Sequence, residues 1–223
     1  EPGLAMSPTQ DHLTITSGES GLRALLLRAR GLDEQATVRF RQLGEQVDCF
    51  VTTPFRVLAS RRVVGEVSRD GAAAGVSAVL EALDSSPENA SLGPARDAMF
   101  PGALPPASGF VLVDELPVGV VRDLADQGRA LARQFSGPMG PPASLMDQTV
   151  ITATSSSGDT SVEVPMRAVF ACTALQLIPG GSAPEEIPRR LRVSSVGRWL
   201  RIDAPFGSVY FSAGGFSLVD RLV

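Results

Sequence analysis

The last quarter of the chain carries the pattern that most limits its fold. Residues 190–195 and 198–203 read as two strands joined at Val196 and Gly197, with glycine where a turn needs positive φ. A second turn, Ala204-Pro205-Phe206-Gly207, has proline at its second position and glycine at its fourth, and leads into a third strand. The pairs expected across the first turn are Ser195 with Arg198, Ser194 with Trp199, Val193 with Leu200, Arg192 with Arg201 and Leu191 with Ile202. Across the second they are Ile202 with Val209, Arg201 with Tyr210 and Leu200 with Phe211. Side chains alternate along a strand. One face therefore collects Leu191, Val193, Leu200, Ile202, Val209 and Phe211, all apolar. A three-stranded antiparallel meander accounts for this, because a slip of one residue would turn the whole set toward water.

The opposite face collects Arg190, Arg192, Ser194, Trp199, Arg201 and Tyr210, including the chain's single Trp and single Tyr. Arg192 opposite Arg201 is unfavourable unless an anion or an aromatic ring lies between them, and arginine can sit over an aromatic ring. Arg190, Arg192, Trp199, Arg201 and Tyr210 are the candidate binding residues. Their composition suits a protein interface and also a stacking surface for nucleic acid. A wet sheet face packed by its own side chains is the simplest account.

Upstream, apolar spacing of three and four predicts helices over residues 19–30 (capped by Ser17), 33–43 (capped by Asp33), 70–83 (capped by Asp70), 117–135 and 166–178. The last is apolar nearly all round, as a helix in a core or an interface is. Runs of β-branched and aromatic residues predict strands over 46–52, 55–59, 63–67, 110–113, 148–153 and 160–164. The fold class is α+β: small antiparallel sheets packed with helices, ending in the meander. Residues 7–84 form an N-terminal α+β unit and 110–223 a C-terminal one, able to share a core. Between them, residues 85–109 read as a loop or linker punctuated by Pro87, Pro94, Pro101, Pro105 and Pro106.

Residue counts then restrict the chemistry. All 20 basic residues are arginine, so Schiff-base, phosphate-loop-lysine and Ser–Lys mechanisms are excluded. Histidine chemistry rests on His12 alone, ahead of the first helix. Cys49 and Cys172 lie in apolar runs; two cysteines make neither a disulfide framework nor a four-ligand zinc site, and buried reduced thiols fit a cytoplasmic protein. No catalytic residue, metal ligand or cofactor is assigned. Carboxylate chemistry remains as an alternative, around Asp114, Glu115 and Asp147, although acids ahead of a helix commonly answer its dipole. The net charge of −4 leans against nucleic acid as a partner, and no apolar run approaches the roughly 18 residues of a membrane span. Glu1, Ala5 and the residues between read as a cloning remnant, with Met6 as the natural start.

Two stretches, Val193-Ser-Ser-Val-Gly-Arg-Trp-Leu-Arg-Ile-Asp-Ala-Pro-Phe-Gly-Ser208 and Val164-Pro-Met-Arg-Ala-Val-Phe-Ala171, resemble parts of uncharacterised proteins of GC-rich actinobacteria. The resemblance implies no activity. It agrees with the absence of lysine and the scarcity of Asn and Tyr, whose codons are AT-rich. The expectation is a non-enzymatic interaction protein that self-associates, motivated by the apolar helix over 166–178 and the Arg/Trp/Tyr face. An anion or nucleic-acid module on that face and a carboxylate-dependent enzyme are the alternatives.

Overall fold

A computed structural model of the chain describes residues 10–138 and 140–213. The supposed remnant and Met6 lie outside the described residues. The fold is α+β, as expected, and divides into two compact units. One comprises the chain up to Val51 together with Arg62–Phe100; the other comprises Thr52–Arg61 and Pro101 onward.

The first unit holds β1 (His12–Ser17), α1 (Glu19–Leu32), β2 (Thr37–Leu43), β3 (Gln46–Thr52), the end of β4 (Leu58–Val67), β5 (Ala73–Gly75), α2 (Val76–Ser85) and β6 (Ala90–Ser91). β2 is antiparallel to both β3 and β5, and β1 to the end of β4 and to β6. The apolar stripes on α1 (Leu22, Leu25, Leu26, Ala29) and α2 (Val76, Val79, Leu80, Leu83) are buried, and the two helices pack together.

Four expectations change over this stretch. Residues 33–43 are not a helix. Thr-Val-Arg-Phe-Arg-Gln-Leu also alternates with period two, and strand pairing on both sides buries Val38 and Phe40 completely. Asp33 accepts a bond from the Gln35 amide at 2.8 Å in a local turn instead of capping a helix. The next helix starts at Val76, because residues 73–75 pair with β2 and Asp70 is taken by the Gln42 amide, 2.9 Å away. The two strands expected over 55–59 and 63–67 are one long strand, β4. Ser17 is not the cap of α1: Gly18 holds that position without a side-chain bond.

The second unit holds the start of β4, then β7 (Val111–Pro117), α3 (Val118–Phe135), α4 (Ala143–Met146), β8 (Thr149–Thr154), β9 (Ser161–Pro165), α5 (Met166–Ala174), β10 (Arg190–Val196), β11 (Trp199–Ala204) and β12 (Gly207–Ser212). Its main sheet has the order β4-β12-β11-β10-β7, with each neighbouring pair antiparallel. β8 and β9 form a separate two-stranded sheet. β12 runs so close to β4 that a Cβ at Gly207 would stand 2.8 Å from the Ser60 carbonyl, and its φ of 149° lies outside the usual range of other residues.

The meander is present. β11 and β12 pair as expected, Arg201 with Tyr210 and Leu200 with Phe211. β10 and β11 are displaced by two residues from the expected pairing, so Val193 faces Ile202 and Arg192 faces Asp203. The turn is made by Gly197 and Arg198, inside the pair Val196–Trp199, and not by Val196 and Gly197. A displacement of two preserves every face, and the six apolar residues are all buried. α5 stops at Ala174, short of residue 178: Gln176 turns left-handed (φ 52°) and the Leu177 amide bonds back to the Cys172 carbonyl at 2.9 Å. The apolar surface of α5 is spent in the core of this unit, with Met166, Ala168, Val169, Phe170, Ala171 and Cys172 buried.

Candidate functional site

Strand alternation brings Arg190, Arg192, Trp199, Arg201 and Tyr210 to one face of the β10–β12 meander, among partners that sequence reading had not placed there. Phe110, just ahead of β7, lies edge-on to the Tyr210 ring at 5.8 Å, and Tyr210 is buried. The Arg201 guanidinium stacks over the same Phe110 ring at 4.6 Å and donates from Nε to Asp203 Oδ2 at 2.8 Å. Asp203 Oδ1 also accepts from the Ser208 hydroxyl at 2.6 Å. Arg192 lies across from Asp203, and exposed Arg190 comes within 3.8 Å of Glu115. Trp199 is half-buried, between Val196 and Ser212 in the ladder. Arg201 and Tyr210 are thus engaged within the unit. The signal for Asp203 was available in the sequence, since residues two apart on a strand share a face.

The carboxylates considered for catalysis are each engaged with a neighbour. Asp114 and Glu115 stand on β7, where the Asp114 carboxylate accepts the Glu115 amide at 2.8 Å and Glu115, across from Arg192 in the ladder, lies 3.8 Å from Arg190. Asp147 follows α4 and is paired with Arg167. His12 is on β1, and its backbone amide donates to the Ser68 hydroxyl at 2.9 Å. Cys49 and Cys172 are fully buried, and burial pushes both thiols up, that of Cys172 to about 12. Among the described residues no group of His, Cys, Asp and Glu is placed to hold a metal, and no helix is long and apolar enough to cross a membrane.

The second unit contains a cavity that sequence reading missed, because its walls come from distant segments. Its apolar end, about 390 Å³, is lined by Pro54, Phe55, Pro141, Ala143, Met146 and Phe170, with Arg56, Asp147 and Arg167 among them. The same three charged residues border a larger hydroxyl-rich part, about 710 Å³, carrying Thr149, Thr152, Thr160, Ser161, Ser195 and Ser212, with exposed Glu163 at its wall.

The turn that presents Phe55 and Arg56 is held by Thr53. Its hydroxyl donates to the Val57 carbonyl at 2.7 Å and accepts the Phe55 amide at 3.3 Å. Arg56 closes the turn at φ 58°, a left-handed conformation that costs a residue with a Cβ about 1 kcal/mol. The Phe55 ring meets the Phe170 ring edge-on at 6.4 Å. The Arg167 side chain is only 13% exposed; burial, and after it the neighbouring charge of Arg56, hold its guanidinium below the ordinary arginine value.

Residues 105–215 match the domain of unknown function DUF8185, and residues 8–102 match the domain of unknown function DUF8010. No curated protein matches the sequence. Among solved structures, the chain is similar to a DNA polymerase sliding clamp from Caulobacter crescentus (TM-score 0.57, 8% identity, 92% of this chain and 65% of that one). It is also similar to the DnaN sliding clamp, DNA polymerase III subunit beta, of Bartonella birtlesii bound to griselimycin (TM-score 0.54, 14% identity, 90% of this chain and 64% of that one). A Pseudomonas aeruginosa clamp matches with TM-score 0.51 and 16% identity, over 96% of this chain and 67% of that one. The chain spans just under two thirds of the length of the first two. Two stretches of unknown function thus make up a chain whose fold is similar to that of the bacterial DNA polymerase sliding clamps.

Proposed function

We propose that this chain is a non-enzymatic interaction protein that receives a segment of a partner protein in the cavity of its second unit and acts as part of a self-associated assembly. The cavity carries the reading. Its apolar end, bordered by two arginines, shares Arg56, Asp147 and Arg167 with a larger hydroxyl-rich part, the combination that takes a partner's bulky side chain and the polar backbone on either side of it. The local engagement of Asp114, Glu115 and Asp147 speaks against a carboxylate enzyme. The test is selection of binders from a random peptide library on the wild-type protein. Selected peptides lose affinity at least about tenfold for Met146→Glu, a half-buried position at which the melting temperature is checked in parallel. Peptides that bind both proteins equally would end the cavity reading.

Self-association rests on a different observation. A two-stranded sheet is marginal alone, and β8 and β9 are hydrogen-bonded to no further strand among the described residues. Leu131 and Phe135 on α3 are also exposed, at 42% and 62%. A second copy supplies the missing strand. Light scattering should give a mass above that of one chain, falling toward it on dilution and in Phe135→Glu. One constant mass equal to a single chain over a hundredfold concentration range would overturn this.

A nucleic-acid reading is favoured by the likeness to DNA polymerase clamps and by the exposed Arg190 and Arg192, and opposed by the net charge of −4. It requires an oligonucleotide to quench Trp199 fluorescence at low salt, with the effect weakening as salt rises.

A further inference from the structure

We infer that the partner segment received by the cavity is acidic: a side-chain carboxylate beside a bulky apolar residue, held by Arg56 while the apolar residue fills the end formed by Phe55, Met146 and Phe170. This deepens the docking reading and rests on it. Two guanidiniums, Arg56 and Arg167, border the apolar end, with one carboxylate, Asp147, between the same walls. Asp147 is committed to Arg167. Among the described residues of the apolar end, two positive charges thus stand against one negative, beside an apolar surface where an incoming anion is attracted more strongly than in bulk water. Glu163 lines the hydroxyl-rich part, which Arg56 also borders, and not the apolar end.

Arg56 suits the role for two further reasons. Its side chain is exposed while its turn is pinned by both bonds of Thr53, so the guanidinium stands on a fixed base. The left-handed backbone at a residue other than glycine is the kind of local strain that gathers at ligand-binding positions. The carboxylate belongs to a side chain and not to a chain terminus, because the hydroxyl-rich part, which shares Arg56, Asp147 and Arg167 with the apolar end, gives a segment room beyond it.

The test compares two probes, acetyl-Phe-Glu-amide and acetyl-Phe-Gln-amide, titrated into the full chain and followed by the amide resonances of Phe55, Asp147 and Phe170. The expected result is shifts at those amides with the Glu probe, and affinity about tenfold weaker with the Gln probe, since a charged acceptor makes the stronger bond to guanidinium. The difference should vanish in high salt and in Arg56→Asn. Asparagine tolerates the left-handed backbone, and an unchanged melting temperature certifies the fold. Equal binding of the two probes, or undiminished discrimination in Arg56→Asn, overturns the acidic-partner inference while leaving docking in place. Absence of shifts with either probe overturns the inference and the docking reading together.

Discussion

Arg62 grips Asp48 with two nitrogens, Nε at 2.7 Å from Oδ1 and Nη2 at 3.1 Å from Oδ2. The Asp48 side chain is 6% exposed and also lies 3.9 Å from Arg41, whose guanidinium stacks over the Phe50 ring at 4.8 Å. One buried carboxylate on β3 thus answers two arginines, Arg41 of β2 and Arg62 of β4. Removing a partner from such an arrangement leaves buried charge uncompensated. Asp48→Ala should lower the unfolding free energy by about 2 kcal/mol, less than for a fully enclosed pair because Arg62 can turn to water. Urea denaturation measures this; a loss indistinguishable from zero would show that the pair is electrostatically idle.

Gly65 is a steric requirement. β1 crosses it so closely that a Cβ there would stand 2.0 Å from the Thr14 carbonyl oxygen, next to the irregularity between Ile15 and Ser17 in the β1–β4 ladder. The obstacle is backbone and cannot rotate away. Gly65→Ala should cost at least about 2 kcal/mol, in the range of overpacked sites. Hydrogen exchange should show the loss first as faster exchange of the β1 amides, with Val63 and Leu58 less affected.

Asp97 sets an acid limit for the first unit. It accepts from Arg69 at 2.7 Å and from the Ala73 amide at 3.0 Å. The bond from Arg69, with that amide assisting, holds its carboxyl below the usual carboxylate range. A depressed folded value stabilises the native state above the unfolded value, and that stabilisation is lost as pH falls through the folded one. Wild type should therefore resist urea better than Asp97→Asn at neutral pH. The two midpoints should converge as the solution is acidified below about pH 4, where an unfolded carboxylate takes up its proton. A gap between them that stays constant down to pH 2 would exclude the linkage.

Both thiols should be silent in the native protein. Cys49 and Cys172 are fully enclosed, and burial raises both above the ordinary thiol range. A disulfide-exchange reagent at pH 8 should label neither within the time in which it labels both in 6 M guanidinium, and labelling rates should follow global unfolding. Prompt native labelling of either cysteine would mean that its surroundings open locally.

Much of the fold was legible because it depends on local periodicity. Period two across residues 190–211 picks out the apolar face of the meander, which is buried, while Ser194 and Tyr210 of the opposite face are buried as well. Sequence alone also dictates the exclusion of lysine chemistry. Period cannot separate registers two residues apart, so tertiary pairing decided that Arg192 meets Asp203 and not Arg201. Nor could it separate helix from strand over residues 37–43, where Phe40 fits both patterns and pairing with β3 and β5 tips the balance. The cavity was invisible for a related reason. Arg56, Asp147 and Arg167 lie far apart along the chain, and only the packing of the β3–β4 turn beside α4 and α5 makes them one charged wall. Local sequence determines which surfaces a chain must bury; which distant surfaces then meet is settled by the one packing that buries them all.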